Sequence, residues 1–319
     1  MRKVRSIVGL VMSAATILSI ATASGQAYPA KTIRIVTSEP GGGSDLTSRL
    51  LAQGLTGPLG QPVIVDNRAG VIVVETVAKA PPDGYTILLS ASMWLSPLFQ
   101  PELSFDQVRD FLPIALAVST PNILVIHPSL PVKSVKDLIA LAKSRPGELN
   151  YATGTTGSAS HIAAEKFKSM AGVNMMRIPY KNAGPGITAL IGGQVQIMFA
   201  TAGSITPHIK AGKLRPLGVT SPKPSALLPD LPTVAATGLP GYDANTLFGL
   251  FAPAKTPADI INRLNQEIVR YLSRAEAREK LLSVGVEPSP SSVEQWAAMV
   301  KADMDAVSKI IKSANLRVN

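Results

Sequence analysis

The sequence predicts an α/β fold, and three observations carry that prediction. Short runs rich in Val, Ile and Leu alternate with helical stretches along residues 32–314. Turns rich in Pro and Gly, 26 and 25 of the 319 residues, separate them without any collagen-like period. Two of the Gly-rich turns sit directly between a strand and a helix. Alternation of this kind builds largely parallel sheets covered by helices.

In chain order, Thr32–Thr37 reads as a strand, and a helix runs from Asp45 to about Leu55. Val63–Asp66 is a strand. Val71–Ala80 is a helix despite its Val content, because Pro81-Pro82-Asp83-Gly84 forms a firm stop. Tyr85–Ser90, Ile114–Val118 and Ile123–His127 are further strands, the last ended by Pro128. A second cycle then begins. Ser134 caps a helix to about Lys143, Asn150–Thr153 is a strand, and a helix covers Ala159–Ala171. Met176–Tyr180, Val195–Phe199, Leu217–Thr220 and Leu247–Ala252 read as strands, with a helix starting near Pro185. The C-terminal part holds helices over Pro257–Leu272, Ala275–Val284 and Val293–Ala314.

Composition narrows the function. With 46% hydrophobic and 16% charged residues the chain is not disordered. Zero Cys excludes a disulfide scaffold, a Cys-based zinc site and a thiol nucleophile, and three His residues argue against a multi-His metal centre. No metal and no cofactor is expected. The net charge of +10 leaves small anions open as partners. Aromatics are only 5% and interleave with no basic stripe, which argues against nucleic acid.

Residues 1–27 read as a secretory signal peptide. Arg2, Lys3 and Arg5 precede an apolar run from Ile7 to Ile20, and small residues before a cut after Ala27, or earlier at Ala23, complete the pattern. The run is shorter than the roughly 20 residues a membrane span needs. Cleavage after Ala27 removes three basic residues and no acid, leaving 28 basic against 21 acidic residues and a net charge of +7. The mature chain is expected in the periplasm, and without Cys it carries no lipobox.

The two Gly-rich turns carry the chemistry. One is Thr37-Ser38-Glu39-Pro40-Gly41-Gly42-Gly43-Ser44-Asp45, the other Thr153-Gly154-Thr155-Thr156-Gly157-Ser158. A helix N-terminus leaves N–H groups unpaired and its dipole favours negative charge, so such a turn takes a carboxylate or phosphate without any Lys or Arg. Neither turn ends in the Gly-Lys-[Ser/Thr] of a phosphate loop, and neither is a dinucleotide fingerprint. One turn per cycle suggests two half-sites facing across a cleft; plain helix capping is the alternative. His161, one turn into the second helix, is a candidate neutral donor to a bound carboxylate, its pKa lowered by the helix N-terminus. An exported hydrolase using Ser158 or Ser160 with His161 is the runner-up. It is disfavoured because neighbouring residues on a helix diverge and no G-x-S-x-G is present. Trp94 and Phe248 either line the cleft or pack.

A longer set of residues resembles the Bug-type substrate-binding proteins of tripartite tricarboxylate transporters. It begins with Tyr28-Pro29-Ala30-Lys31-Thr32-Ile33, Pro40-Gly41-Gly42 and Asp45. It continues through Gly60-Gln61-Pro62-Val63, Asp66-Asn67-Arg68, Pro81-Pro82-Asp83-Gly84-Tyr85 and Pro179-Tyr180-Lys181 to Gly238-Leu239-Pro240-Gly241-Tyr242 and Ala252-Pro253-Ala254-Lys255-Thr256-Pro257. The resemblance spans essentially all of 28–319. It implies a type II periplasmic-binding-protein fold: two α/β domains joined by crossing strands, with a ligand cleft between them. Domain 1 would be 28–127 plus 245–319 and domain 2 would be 128–244. It also implies a binding protein rather than an enzyme, membrane permease subunits as partners, and a possible sensor kinase. The implied ligand-binding set is Ser38, Glu39, Pro40 and Gly41 in the first turn, and Thr153, Gly154, Thr155, Thr156 and Gly157 in the second. With Ser92, Trp94, His161, Ala200, Thr201 and Phe248 added from the reading of the residues themselves, this is the expected ligand-binding set. The departures from the family pattern are Val71-Ile72-Val73-Val74-Glu75 in place of a Gly-rich stretch, and Ala200 and Gln196 in place of acids. The loss of the acid at Ala200 disfavours amino acids. The expected ligand is a mono- or dicarboxylate with an apolar or aromatic body.

Overall fold

The computed structural model describes residues 28–313, apart from 39, 42, 92, 100–102, 107, 108, 155 and 182. The expected signal peptide therefore lies outside the described residues, as do Glu39, Ser92 and Thr155 of the expected ligand set. Among the described residues no helix is long and apolar enough to cross a membrane.

The chain begins with β1 (Ile33–Thr37), α1 (Gly43–Leu59), β2 (Val63–Asn67), α2 (Ile72–Ala78) and β3 (Thr86–Ala91). A 3-10 turn at Met93–Leu95 and the short α3 (Ser96–Phe99) lead to β4 (Phe111–Thr120) and β5 (Asn122–Ile126). Next come α4 (Val135–Ser144), β6 (Asn150–Thr153), α5 (Ala159–Ala171), β7 (Met176–Pro179), α6 (Ala183–Ile191), β8 (Ile197–Thr201), α7 (Ala202–Lys210), β9 (Arg215–Val219) and α8 (Val234–Thr237). The chain closes with β10 (Thr246–Pro253), α9 (Ala258–Leu272), α10 (Ala275–Ser283), β11 (Glu287–Pro288) and α11 (Val293–Ser313).

The strands form two sheets, ordered β11-β4-β10-β3-β1-β2 and β7-β6-β8-β5-β9. The expectation of largely parallel sheets is corrected. Among the named strands of the described residues, β2-β1-β3 and β7-β6-β8 pair in parallel, while β10 and β5 run antiparallel to both of their neighbours. The reason lies in the crossing. A strand that enters a sheet from the other lobe arrives at the C-terminal edge of the resident parallel strands and must run against them. The change of sheet falls at Pro121, between β4 and β5, rather than after residue 127, because Asn122 already pairs with Thr201.

That connection fixes the relation of the two edges. β4 runs in the same sense as β1 and β3, because β10 lies antiparallel between it and β3. Its end at Thr120 leads directly to Asn122 beside Thr201, the last residue of β8. The C-terminal edge of the first sheet thus joins the C-terminal edge of the second, and loops that follow parallel strands gather there. The crossing segments are laced together. Asn122 Nδ2 donates to the Ala244 carbonyl at 2.9 Å, the Thr220 hydroxyl donates to the same oxygen at 3.0 Å, and Asn122 N–H donates to Thr220 Oγ1 at 2.9 Å.

Each sheet buries both faces. In the first lobe, Ile33, Ile35, Ile87, Leu89 and Leu250 pack against α1, α9 and α10, and Val36, Leu88 and Phe251 pack on the other face. In the second lobe, Leu124, Tyr151 and Phe199 meet α4 and α5, while Val125, Ala152 and Met198 meet α6 and α7. Trp94 belongs to the first lobe's core and not to a ligand surface, which corrects its expected role. The ring is fully buried, meets Trp296 edge-on at 5.0 Å, and donates its N–H to Asp303 at 2.7 Å. Gly249 admits this packing, since a Cβ there would stand 2.0 Å from the Trp296 ring.

The helix after the first turn runs further than its sequence suggests. The sequence reading ends this helix at about Leu55, yet α1 continues through Pro58 to Leu59. Leu59 is buried, and Thr56 anchors the last turn by donating to the Ala52 carbonyl at 2.8 Å while accepting from Val63 N–H at 3.1 Å. Helix α7 has no counterpart in the sequence reading. Its Gly203 and Pro207 disguise it, and burial of Ala202 and Ile205 beneath β8 holds it.

Candidate functional site

Both Gly-rich turns stand on the joined edges, one after β1 and one after β6. The first is filled by the chain itself. Gly41 takes the left-handed backbone, φ 88°, and its N–H donates to Asp45 Oδ2 at 3.0 Å. Asn67 Nδ2 donates to Asp45 Oδ1 at 2.9 Å and to the Ser38 carbonyl at 2.6 Å, tying β2 to the turn. Arg49, one helical turn on, reaches Asp45 at 3.0 Å. Burial alone would raise the Asp45 carboxyl, but the donors Arg49, Gly41 and Asn67 hold it below the ordinary carboxylate value. Asp45 is therefore an internal anion seated where the sequence suggests an external one. Ser38, Pro40 and Gly41 remain exposed at this edge. Phe248 lies beneath it, nearly buried, its ring so close to Gly43 that a Cβ there would come within 2.9 Å. Its expected contact with ligand becomes a supporting role under the turn.

The second turn is braced differently. Gly157 is left-handed, φ 82°, and its N–H donates to His161 Nδ1 at 3.1 Å. The Ser158 side chain caps α5 by accepting from His161 N–H at 3.4 Å. Ser160 Oγ accepts from Gly154 N–H at 3.0 Å and lies 3.2 Å from Ser158 Oγ. His161 is buried. Burial first, then the charge of Arg177, brings its pKa down to about 4. The lowered pKa agrees with the sequence expectation in direction, although desolvation is its main cause. The ring is neutral at pH 7, and with Nδ1 accepting, its proton sits on Nε2. Nδ1 is thereby committed to the turn, and His161 braces its backbone.

A cavity of about 210 Å³ opens beside this turn, lined by residues that include Asn122, Gly154, Ser160, Lys181, Ala200 and Thr201. It brings together three expected residues, Gly154, Ala200 and Thr201. Thr153 and Thr156 stand behind it, held by Arg177, whose Nε donates to Thr153 Oγ1 at 2.9 Å and whose Nη1 donates to Thr156 Oγ1 at 3.2 Å. The sequence reading missed Arg177 and Lys181. It allowed such a turn to act without cations, yet both arrive from β7 and the loop after it. The available signal was the position of Met176–Tyr180 as the next strand after the turn. Parallel pairing sets Arg177 beside Tyr151, two residues before the turn.

A two-lobed α/β fold with ligand-type loops on the facing edges defines a periplasmic binding protein, a class that captures small molecules and does not turn them over. The chain belongs to the tripartite tricarboxylate transporter receptor family, whose model matches residues 47–316. It is 33% identical to the protein BugT of Bordetella pertussis, the match covering 100% of this chain and 99% of BugT. The solved structure of Rpa4515 from R. palustris with adipate is similar at 34% identity with a TM-score of 0.78, covering 90% of this chain and 98% of that one. MatC of Rhodopseudomonas palustris with bound malate is similar at 27% identity and a TM-score of 0.71, covering 89% and 100%. Members of this family are periplasmic solute-binding proteins of transport, not enzymes.

Proposed function

We propose that this protein captures a small organic carboxylate with an apolar or aromatic body in the periplasm, closes its two lobes over it, and delivers it to the membrane permease subunits of a tripartite tricarboxylate transporter. The observation that carries the reading is the cavity beside the second turn, where Ser160, Thr201 and Lys181 surround a helix N-terminus. A carboxylate there would meet the helix dipole and a cation together. Support for the apolar body comes from the opposite edge. Arg68 N–H is tied to the Thr37 carbonyl at 2.9 Å, and the segment that follows carries Val71 and Ile72, 42% and 53% exposed. The adipate of the Rpa4515 structure, four methylenes between two carboxylates, is the kind of molecule these two edges suit.

Calorimetric titration with adipate, benzoate, malate and citrate tests the reading. Adipate or benzoate should bind most tightly. Lys181→Met and Ser160→Ala should each weaken that acid about tenfold, the loss of one charged or polar contact. Small-angle scattering should show compaction on binding. Preference for citrate or for an amino acid overturns the assignment.

A further inference from the structure

We propose that Arg177 is the positioning residue of the second turn: it clamps the turn from behind and supplies the positive potential that draws a ligand carboxylate to it, without touching the ligand. This rests on the carboxylate reading and deepens it. The guanidinium contacts three residues of the turn, Thr153, Gly154 and Thr156. Nε donates to Thr153 Oγ1 at 2.9 Å, Nη2 to the Gly154 carbonyl at 3.2 Å, and Nη1 to Thr156 Oγ1 at 3.2 Å. Thr153 Oγ1 in turn donates to the same Gly154 carbonyl at 2.9 Å, so that oxygen takes two donors and the peptide is fixed. A planar fork with several N–H groups spans such a surface; a lysine ammonium cannot.

The charge is the second half of the argument. All three acceptors are neutral oxygens, and no carboxylate among the described residues lies within ion-pair distance of Arg177. The nearest buried acid, Glu165, is already occupied by Lys168 at 3.0 Å and by the Tyr151 hydroxyl. A partly buried guanidinium whose direct partners are all neutral oxygens, with Glu165 acting on it only through space, leaves a positive field at the turn, and its neighbour registers it: after burial, the Arg177 charge helps push the His161 pKa down. Fixed groups aimed at the place where charge arrives cost no reorganisation when it does.

The test compares Arg177→Met, Arg177→Lys and Thr156→Val with the unaltered protein. Three readouts are used: adipate titration at two salt concentrations, the His161 pKa by NMR, and hydrogen exchange at the Gly157 amide. In Arg177→Met, adipate should bind about 10- to 100-fold more weakly with a flatter salt dependence, the His161 pKa should rise, and the Gly157 amide should exchange faster. Arg177→Lys should restore the His161 pKa but not the exchange protection, separating charge from clamp. Thr156→Val, which removes one exposed contact and leaves the core intact, should weaken adipate two- to threefold. An unmoved His161 pKa together with unchanged Gly157 exchange in Arg177→Met overturns the proposal, as does equal adipate affinity in all variants. If the unaltered protein binds none of the acids, the carboxylate reading fails, and the two ligand-independent readouts still decide the role of Arg177.

Discussion

Each lobe carries one Gly-rich turn at a helix N-terminus and one arginine against it, yet the two turns differ in charge. In the first, Arg49 pairs with Asp45, and the carboxylate takes the Gly41 N–H as well. In the second, Arg177 meets only neutral oxygens, and the group inside the turn is an uncharged imidazole. The same backbone motif therefore closes on its own carboxylate in one lobe and on neutral groups in the other. A Gly-rich turn alone does not specify an anion site; what occupies its N–H groups does.

The largest test of this contrast is acid. His161 has a folded pKa of about 4 against about 6.5 unfolded, so its contribution is fully present above pH 6.5. Below that the unfolded chain binds the proton first, and stability falls as pH drops toward 4. A shift of this size corresponds to about 3 kcal/mol over the window. Urea titrations at pH 7.5, 5.5 and 4.5 should show this decline. His161→Asn, whose side-chain oxygen can still accept the Gly157 N–H, should flatten it. An equally steep decline in the variant would remove His161 from the explanation.

The first turn should respond in a different window. The Asp45 carboxyl is held below its ordinary value, so its contribution is present above about pH 3.9 and is lost as pH falls through the depressed folded pKa. Asp45→Asn replaces a buried acceptor of charge-assisted bonds by an amide whose NH₂ faces donors, at a cost of about 2 kcal/mol at pH 7. The variant should show a shallower stability loss below pH 4 and an unchanged slope between 4 and 6.5. A change in the upper window would mean that the two turns are coupled rather than independent.

Both turns were legible in the sequence as local patterns, and neither was legible in its partners. The strand-turn-helix order was readable at both, because periodicity and Gly placement are local. Capping by Ser158 was readable for the same reason. The occupation of the first turn by Asp45 depends on Asn67, 22 residues away, and the charge of the second depends on Arg177, 24 residues from Thr153. Those partners meet only through sheet pairing, which local pattern does not encode. Of the two readings open for the aromatics, lining the cleft or packing, the structure shows packing, for a related reason. Trp94 and Phe248 sit where a ligand surface was plausible, but close contacts with Trp296 and Gly43 turn them inward. The antiparallel strands β5 and β10 were invisible as such, since direction within a sheet is set by the crossings, at Pro121 for β5 and at Ala244–Asn245 for β10, and not by composition.

Arg49 supplies the smallest and most specific control on the comparison. Its side chain is 55% exposed and reaches Asp45 at 3.0 Å from one turn along α1, the geometry of a surface ion pair. Asp45 retains the Gly41 and Asn67 donors without it, so Arg49→Met should cost only about 0.5 kcal/mol. Removing the cation also leaves the Asp45 carboxylate without its paired charge. If the second turn alone gathers the carboxylate, adipate affinity should fall less than twofold, against the much larger fall expected for Arg177→Met. Calorimetry on the two variants side by side measures the ratio. Comparable losses would mean that both edges attract charge equally and that the asymmetry between the lobes has no functional weight.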